Sequence, residues 1–154
     1  ERLGGLSAAI QHNLAQKAEL LADFYQRFSH DDLAMDLWFS VQSSDQHASV
    51  DAIFALTQHS DFDINTPNRV RSVVSGLLAQ PTKLWTDAAL TQFLDMIAVL
   101  DKRNPLLASR LLQGLSNWKT LIVPLKTQAQ AQLTAKQDEM TSKNVKETLA
   151  NMIG

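Results

Sequence analysis

Apolar residues recur along most of this chain at the three- and four-residue spacing of helices that bury one face. Leu21, Phe24, Tyr25 and Phe28 share a face, and Leu33, Leu37, Trp38 and Val41 follow after a break at Ser29-His30-Asp31-Asp32. Ser29 and Asp32 have the spacing of a capping-box variant for that second helix. Val50, Ile53 and Phe54 mark a short helix, and the polar run Ser60 to Asn65 reads as a loop. Thr66-Pro67 then places a capping hydroxyl before a proline at the first helical position, a strong helix start. Val70, Val73, Val74, Leu77 and Leu78 continue that helix to a stop near Pro81. Thr86 opens a helix bearing Leu90, Phe93, Leu94, Ile97 and Leu100, and Asn104-Pro105 opens one bearing Leu107, Leu111, Leu115 and Trp118. Pro124 starts a weaker Gln-rich helix through Ala129 and Leu133, and Val145, Leu149 and Met152 mark the last. No segment alternates long enough to be a strand.

Two stretches repeat at an offset of 38 residues, Pro67 to Pro105: Asp63, Val70, Val73, Val74, Gly76 and Leu77 pair with Asp101, Ala108, Leu111, Leu112, Gly114 and Leu115. A period near 40 with two helices per unit belongs to solenoids, in which each helix pair buries its apolar face only against its neighbours. The expectation is all-α: a superhelical stack of antiparallel helix pairs, a HEAT/armadillo-like α-solenoid of seven to eight helices, forming one domain over residues 1–154.

Composition narrows the chemistry. The 154 residues include no cysteine, which removes disulfides, thiolate nucleophiles and Cys-ligated zinc. That composition is compatible with a reducing cytoplasm. A net charge of −2, from 14 basic and 16 acidic residues, argues against a nucleic-acid surface. No apolar run is long enough for a membrane span. The start, Glu1-Arg2-Leu3-Gly4-Gly5, lacks the pattern of a secretory signal and reads as an interior piece of a longer protein or an artificial boundary.

Candidate chemical groups are sparse. The histidines are His12, His30, His47 and His59, with no His-Glu-x-x-His motif. His59 with Asp61 and Asp63, and His30 with Asp31 and Asp32, are better read as turn and helix-start groups than as metal ligands. Ser72, Ser75 and Ser109 lie within helices and no nucleophile elbow is present. The chain is therefore expected to hold no catalytic residue and no metal. Trp38, Trp85 and Trp118 each adjoin an apolar stripe and read as core or interface. The mixed-charge stretch Lys136 to Lys146 reads as a solvated face. Arg69, Arg71 and Arg110 near the starts of successive helices leave two readings open: salt bridges to Asp63, Asp101 or a neighbouring helix, or carboxylate binding in a concave surface.

Three segments carry a resemblance. Leu33-Ala34-Met35-Asp36-Leu37-Trp38-Phe39-Ser40-Val41-Gln42 is similar to the pattern LVMDKWFxxQ, Pro67-Asn68-Arg69-Val70-Arg71-Ser72 to NPNRxRSL, and Leu100-Asp101-Lys102-Arg103-Asn104-Pro105 through Ala108-Ser109-Arg110-Leu111 to LdxxNPQvAsRL. In this order they resemble the C-terminal domain of the bacterial aminopeptidase N family, gluzincin-type zinc metallopeptidases of the membrane alanyl aminopeptidase-like class. The similarity runs from about Leu6 to the final helix. It implies a cytoplasmic enzyme of peptide catabolism whose zinc and ligands lie in an upstream catalytic domain of the same polypeptide. This chain would cap the active-site chamber and gate access of peptide substrates, inactive alone, with Arg71 and Arg110 lining the substrate channel and Arg69 given no substrate role. No nucleic acid and no membrane partner is implied. The alternative is a stand-alone α-solenoid that binds a peptide or protein. Three departures stand out: Leu106 where the pattern has Gln, Leu84-Trp85-Thr86-Asp87-Ala88-Ala89-Leu90 in place of the loop FHxxDGSGY, and Gln- and Ala-rich sequence around Pro124.

Overall fold

The computed structural model describes residues 2–154, so Glu1 of the N-terminal segment read above lies outside them. The described residues form ten α-helices and no strand. They group into two compact units, 1–80 and 81–154.

The first unit contains α1 (Arg2–Gln11), α2 (Lys17–Phe28), α3 (Asp32–Ser43), α4 (Val50–Ala55), a 3-10 turn (Leu56–Gln58) and α5 (Pro67–Leu78). Asp31 has an extended backbone and accepts the Ala34 amide at 3.1 Å. The expected Ser29–Asp32 box is therefore corrected: Ser29 still belongs to the end of α2 and Asp32 lies inside the first turn of α3. Thr66 does precede α5, but its hydroxyl donates to Asp63 Oδ2 at 3.2 Å instead of capping. The fixed φ of Pro67 and the Val70 N–H to Thr66 carbonyl bond, 3.1 Å, start that helix without it.

A close helix crossing sets α3 against α5. Gly76 meets the backbone of Ser43, and Gln80 Nε2 donates to both the Ser43 carbonyl at 2.9 Å and the Gly76 carbonyl at 2.8 Å. The Ser43 hydroxyl donates to the Val73 carbonyl. Around this crossing Met35, Phe39, Ile53, Val70, Val74 and Leu77 are buried.

The second unit contains α6 (Pro81–Leu84), α7 (Asp87–Asp101), α8 (Pro105–Leu112), a 3-10 segment (Gln113–Thr120), α9 (Val123–Lys136), a 3-10 turn (Gln137–Glu139) and α10 (Lys143–Ile153). Thr86, Asn104 and Ser142 cap α7, α8 and α10 through the amides of Ala89, Leu107 and Val145. Phe93, Ile97, Leu112, Leu115, Leu133 and Leu149 form its core. The helix expected to run on to Trp118 tightens to 3-10 after Leu112. The three-residue winding stacks Leu115 and Trp118 on one side, where both are buried.

The 38-residue repeat is physical. Val70, Val73, Val74 and Leu77, like Ala108, Leu111, Leu112 and Leu115, are all buried. The glycines are not equivalent, because Gly76 is buried at a helix crossing whereas Gly114 is exposed in the 3-10 segment. No helix among the described residues is long and apolar enough to cross a membrane.

Candidate functional site

Arg69 is the most constrained of the three arginines. Its Nε donates to Asp36 Oδ1 at 2.6 Å, Nη2 lies 3.6 Å from Asp32 Oδ1, and Nη1 donates to the Asp61 carbonyl. The guanidinium sits 5.3 Å from the centre of the Phe39 ring. The side chain is buried and ties α5 to α3 and to the turn before it, a structural role. Its partners are on a neighbouring helix, not Asp63 or Asp101.

Pinning Arg69 inward turns Arg71, about 200° further round the helix, to another side of α5. Arg71 is half-buried and donates to Asn68 Oδ1 at 3.3 Å. Arg110, on α8, is exposed and forms no ion pair among the described residues. Leu106, one turn earlier on α8, is 54% exposed. The two arginines belong to different units.

The turn before α5 is built from aromatic and carboxylate groups. His59 Nδ1 accepts the Asp61 amide at 3.0 Å, and the ring meets Tyr25, Trp38 and Phe39 edge-on at 5.2–5.5 Å. Asp63 accepts the Asn65 amide at 2.8 Å. These groups serve the turn, and among the described residues no three of His, Asp or Glu converge to hold a metal.

Tyr25, the sole tyrosine, donates to Asp61 Oδ2 at 2.5 Å. The hydrogen bond to that carboxylate, reinforced by burial and by its charge, raises the Tyr25 pKa above 10.0. An absorbance titration of the phenol should therefore give a midpoint above that of free tyrosine. Asp61→Asn should lower it, since a neutral amide opposes the phenolate less. Equal midpoints would show that this contact is not made.

Two further polar centres escaped the sequence reading. Asp101 closes α7 and is buried; its Oδ2 accepts the Thr141 amide at 2.6 Å, the Thr141 hydroxyl at 3.0 Å and the Ser142 amide at 3.1 Å. Burial raises the Asp101 carboxyl, but the hydrogen bonds from Ser142 and Thr141 together outweigh it and hold the pKa below 3.8. The solvated-face reading of Lys136 is corrected: the side chain is buried, and its ammonium bonds Asp95 and Glu139, the latter at 3.1 Å. Burial lowers the Lys136 pKa, and the two carboxylates raise it by more. Trp38, Trp85 and Trp118 are core residues; Trp118 Nε1 donates to the Met152 carbonyl at 3.0 Å.

A family model described as "Domain of unknown function (DUF3458_C) ARM repeats" matches residues 1–154. Aminopeptidase N of Caulobacter vibrioides is 30% identical over 159 residues, covering 100% of this chain and 18% of that protein. Aminopeptidase N of Haemophilus influenzae is 35% identical over 119 residues, covering 75% of this chain and 14% of that protein. Aminopeptidase N of Escherichia coli is 31% identical over 123 residues, with 77% and 14% covered. The crystal structure of Legionella pneumophila aminopeptidase A in complex with aspartic acid superposes with a TM-score of 0.86 at 26% identity, covering 96% of this chain and 18% of that one. The chain thus spans 14–18% of the length of the curated relatives it matches. The chain belongs to the DUF3458_C ARM-repeat family and is a domain of the kind that forms the C-terminal part of bacterial aminopeptidase N.

Proposed function

We infer that this chain is the C-terminal lid of a zinc-dependent, membrane alanyl-type aminopeptidase, acting as a single domain in the cytoplasm. It caps the chamber over an upstream catalytic domain and gates the entry of peptides whose N-terminal residues that domain removes. The observation that carries this reading is the family match over all 154 residues, together with three curated relatives named aminopeptidase N. The zinc and its ligands belong to the upstream domain, and this chain supplies walls and charge.

Arg71 and Arg110 are the residues assigned to guide substrate carboxylates. Arg110 suits that task because its guanidinium is exposed with no acidic partner among the described residues. Arg71 suits it because its contact is a 3.3 Å bond to a neutral amide, which a carboxylate displaces at little cost. Leu106 stands where the family pattern has Gln, so an apolar side chain flanks Arg110 in place of an amide.

The test uses the longer polypeptide carrying this chain. Arg71→Ala and Arg110→Ala should each lower kcat/KM for short free-acid peptides about three- to fivefold relative to the same peptides as amides, the scale of a partly solvated charge pair. Equal effects on acids and amides would assign both arginines to structure alone.

A further inference from the structure

His59 follows the 3-10 turn Leu56–Gln58, and its imidazole is enclosed by rings from two helices. Tyr25 of α2 and Trp38 and Phe39 of α3 meet it at 5.2–5.5 Å. Its Nδ1 accepts the Asp61 amide at 3.0 Å, so the neutral ring carries its proton on Nε2. The other polar groups of Asp61 are held as well. Its carboxylate accepts the Tyr25 hydroxyl at 2.5 Å, and its carbonyl accepts Arg69 Nη1. One residue of the turn therefore joins α2, His59 and α5.

A single proton undoes one of these three bonds. An imidazolium has an N–H on both nitrogens and no lone pair, so in neither ring orientation does it accept the Asp61 amide. The aromatic rings on α2 and α3 hold the imidazole where it is, which leaves the turn to give way. The charged and titratable groups around it are Tyr25 of α2, Arg69 of α5 with its α3 partners Asp36 and Asp32, and Asp61 and Asp63 of its own turn. Carboxylates outnumber the Arg69 guanidinium there, so a second cation is accommodated. The released residue also brings its own acceptor, since the Asp61 carboxylate bonds an imidazolium more strongly than it bonds a neutral phenol.

We propose that His59 is a proton-operated latch on the turn that leads into α5. With the ring neutral, the Asp61 amide is bonded to Nδ1 and the Asp61 carboxylate to Tyr25. When Nδ1 takes a proton from solvent, the amide is released and the carboxylate passes from Tyr25 to the imidazolium. The Arg69 clamp then bears on a carbonyl whose own amide is no longer fixed, so the start of α5 loosens. The latch rests on the geometry of the first unit and not on the aminopeptidase reading.

Nuclear magnetic resonance of the 154-residue chain tests it across the titration of His59. Exchange of the Asp61 amide, corrected for its intrinsic pH dependence, is expected to rise about fivefold as the ring gains its proton, the factor for loss of one hydrogen bond. The Tyr25 Cζ resonance should move with the same midpoint as His59. His59→Asn keeps an acceptor for the amide two residues on and does not titrate, so both changes should vanish in that variant. Equal protection of the Asp61 amide on either side of the titration would overturn the proposal. The same acceleration in His59→Asn would assign it to the carboxylates of the turn and overturn it too. The ring nitrogen shifts of the unsubstituted chain decide independently of any variant: a neutral ring protonated on Nδ1 would contradict the latch.

Discussion

Asp101→Ala should destabilise the chain by about 3 kcal/mol and lower its melting temperature by about 6–12 °C. The side chain is 1% exposed, and its Oδ2 holds three donors at the start of α10. Alanine leaves those donors facing a small cavity, each losing a hydrogen bond to a charged acceptor. The partial positive charge at the N-terminus of α10 loses its counter-charge as well. Part of the gain from removal is already spent, since Asp101 Oδ1 is buried with no hydrogen-bond partner among the described residues. That desolvation cost keeps the loss nearer 3 than 5 kcal/mol. Hydrogen exchange should place the loss in α10, and Asp101→Asn, which keeps one acceptor, should do less damage. The pH dependence has a definite sign. The folded pKa lies below the unfolded one, so the contribution is full above about pH 4 and is lost as pH falls through the folded value. The gap between wild type and Asp101→Ala should therefore close in acid; a constant gap would mean that packing, not charge, holds α10.

Gly76→Ala should cost about 2–3 kcal/mol, although alanine favours a helix over glycine by about 1 kcal/mol. A Cβ there would stand 2.6 Å from the Ser43 carbonyl carbon and 2.8 Å from its oxygen, in addition to meeting the Ser43 hydroxyl. Two of those atoms are backbone, so relief requires α3 and α5 to separate. Separation also stretches the bond by which Gln80, held to the Gly76 carbonyl of its own helix, reaches the Ser43 carbonyl of α3. Urea unfolding should show a lower midpoint at unchanged slope, whereas a neutral or stabilised variant would show that the crossing has slack.

These two residues show what a sequence can disclose. Gly76 and Gly114 occupy the same place in the repeat, yet only the first lies at a close helix approach; the spacing is local and the approach depends on where Ser43 arrives. Asp63 and Asp101 also align. One serves its own turn, the other a helix forty residues later, and nothing within either motif separates them. Long amphipathic helices were legible because their 3.6 period is written in the chain, and the Thr86 and Asn104 caps because the acceptor lies three residues from its donor. α1 was missed: Leu6, Ala9 and Ile10 are buried at helical spacing, but that short stripe follows two glycines, Gly4 and Gly5, which disfavour a helix. α6 was missed because Pro81, read as a stop, begins a four-residue helix. Of the candidate site, the motif around Arg69 was legible, but its partners Asp36 and Asp61 were not, since they come from α3 and a turn brought close only by folding. Lys136 misled for the same reason, because its place in a charged run conceals its burial beside Asp95.

The claim on which the account turns is that this chain shapes and gates a reaction whose reactive centre lies elsewhere in the polypeptide. The direct test is release of N-terminal amino acids from short peptides by the 154-residue chain, with and without added zinc, beside the longer polypeptide. The account predicts no release by the chain in either condition and turnover by the longer protein. Turnover by the 154 residues alone would contradict it.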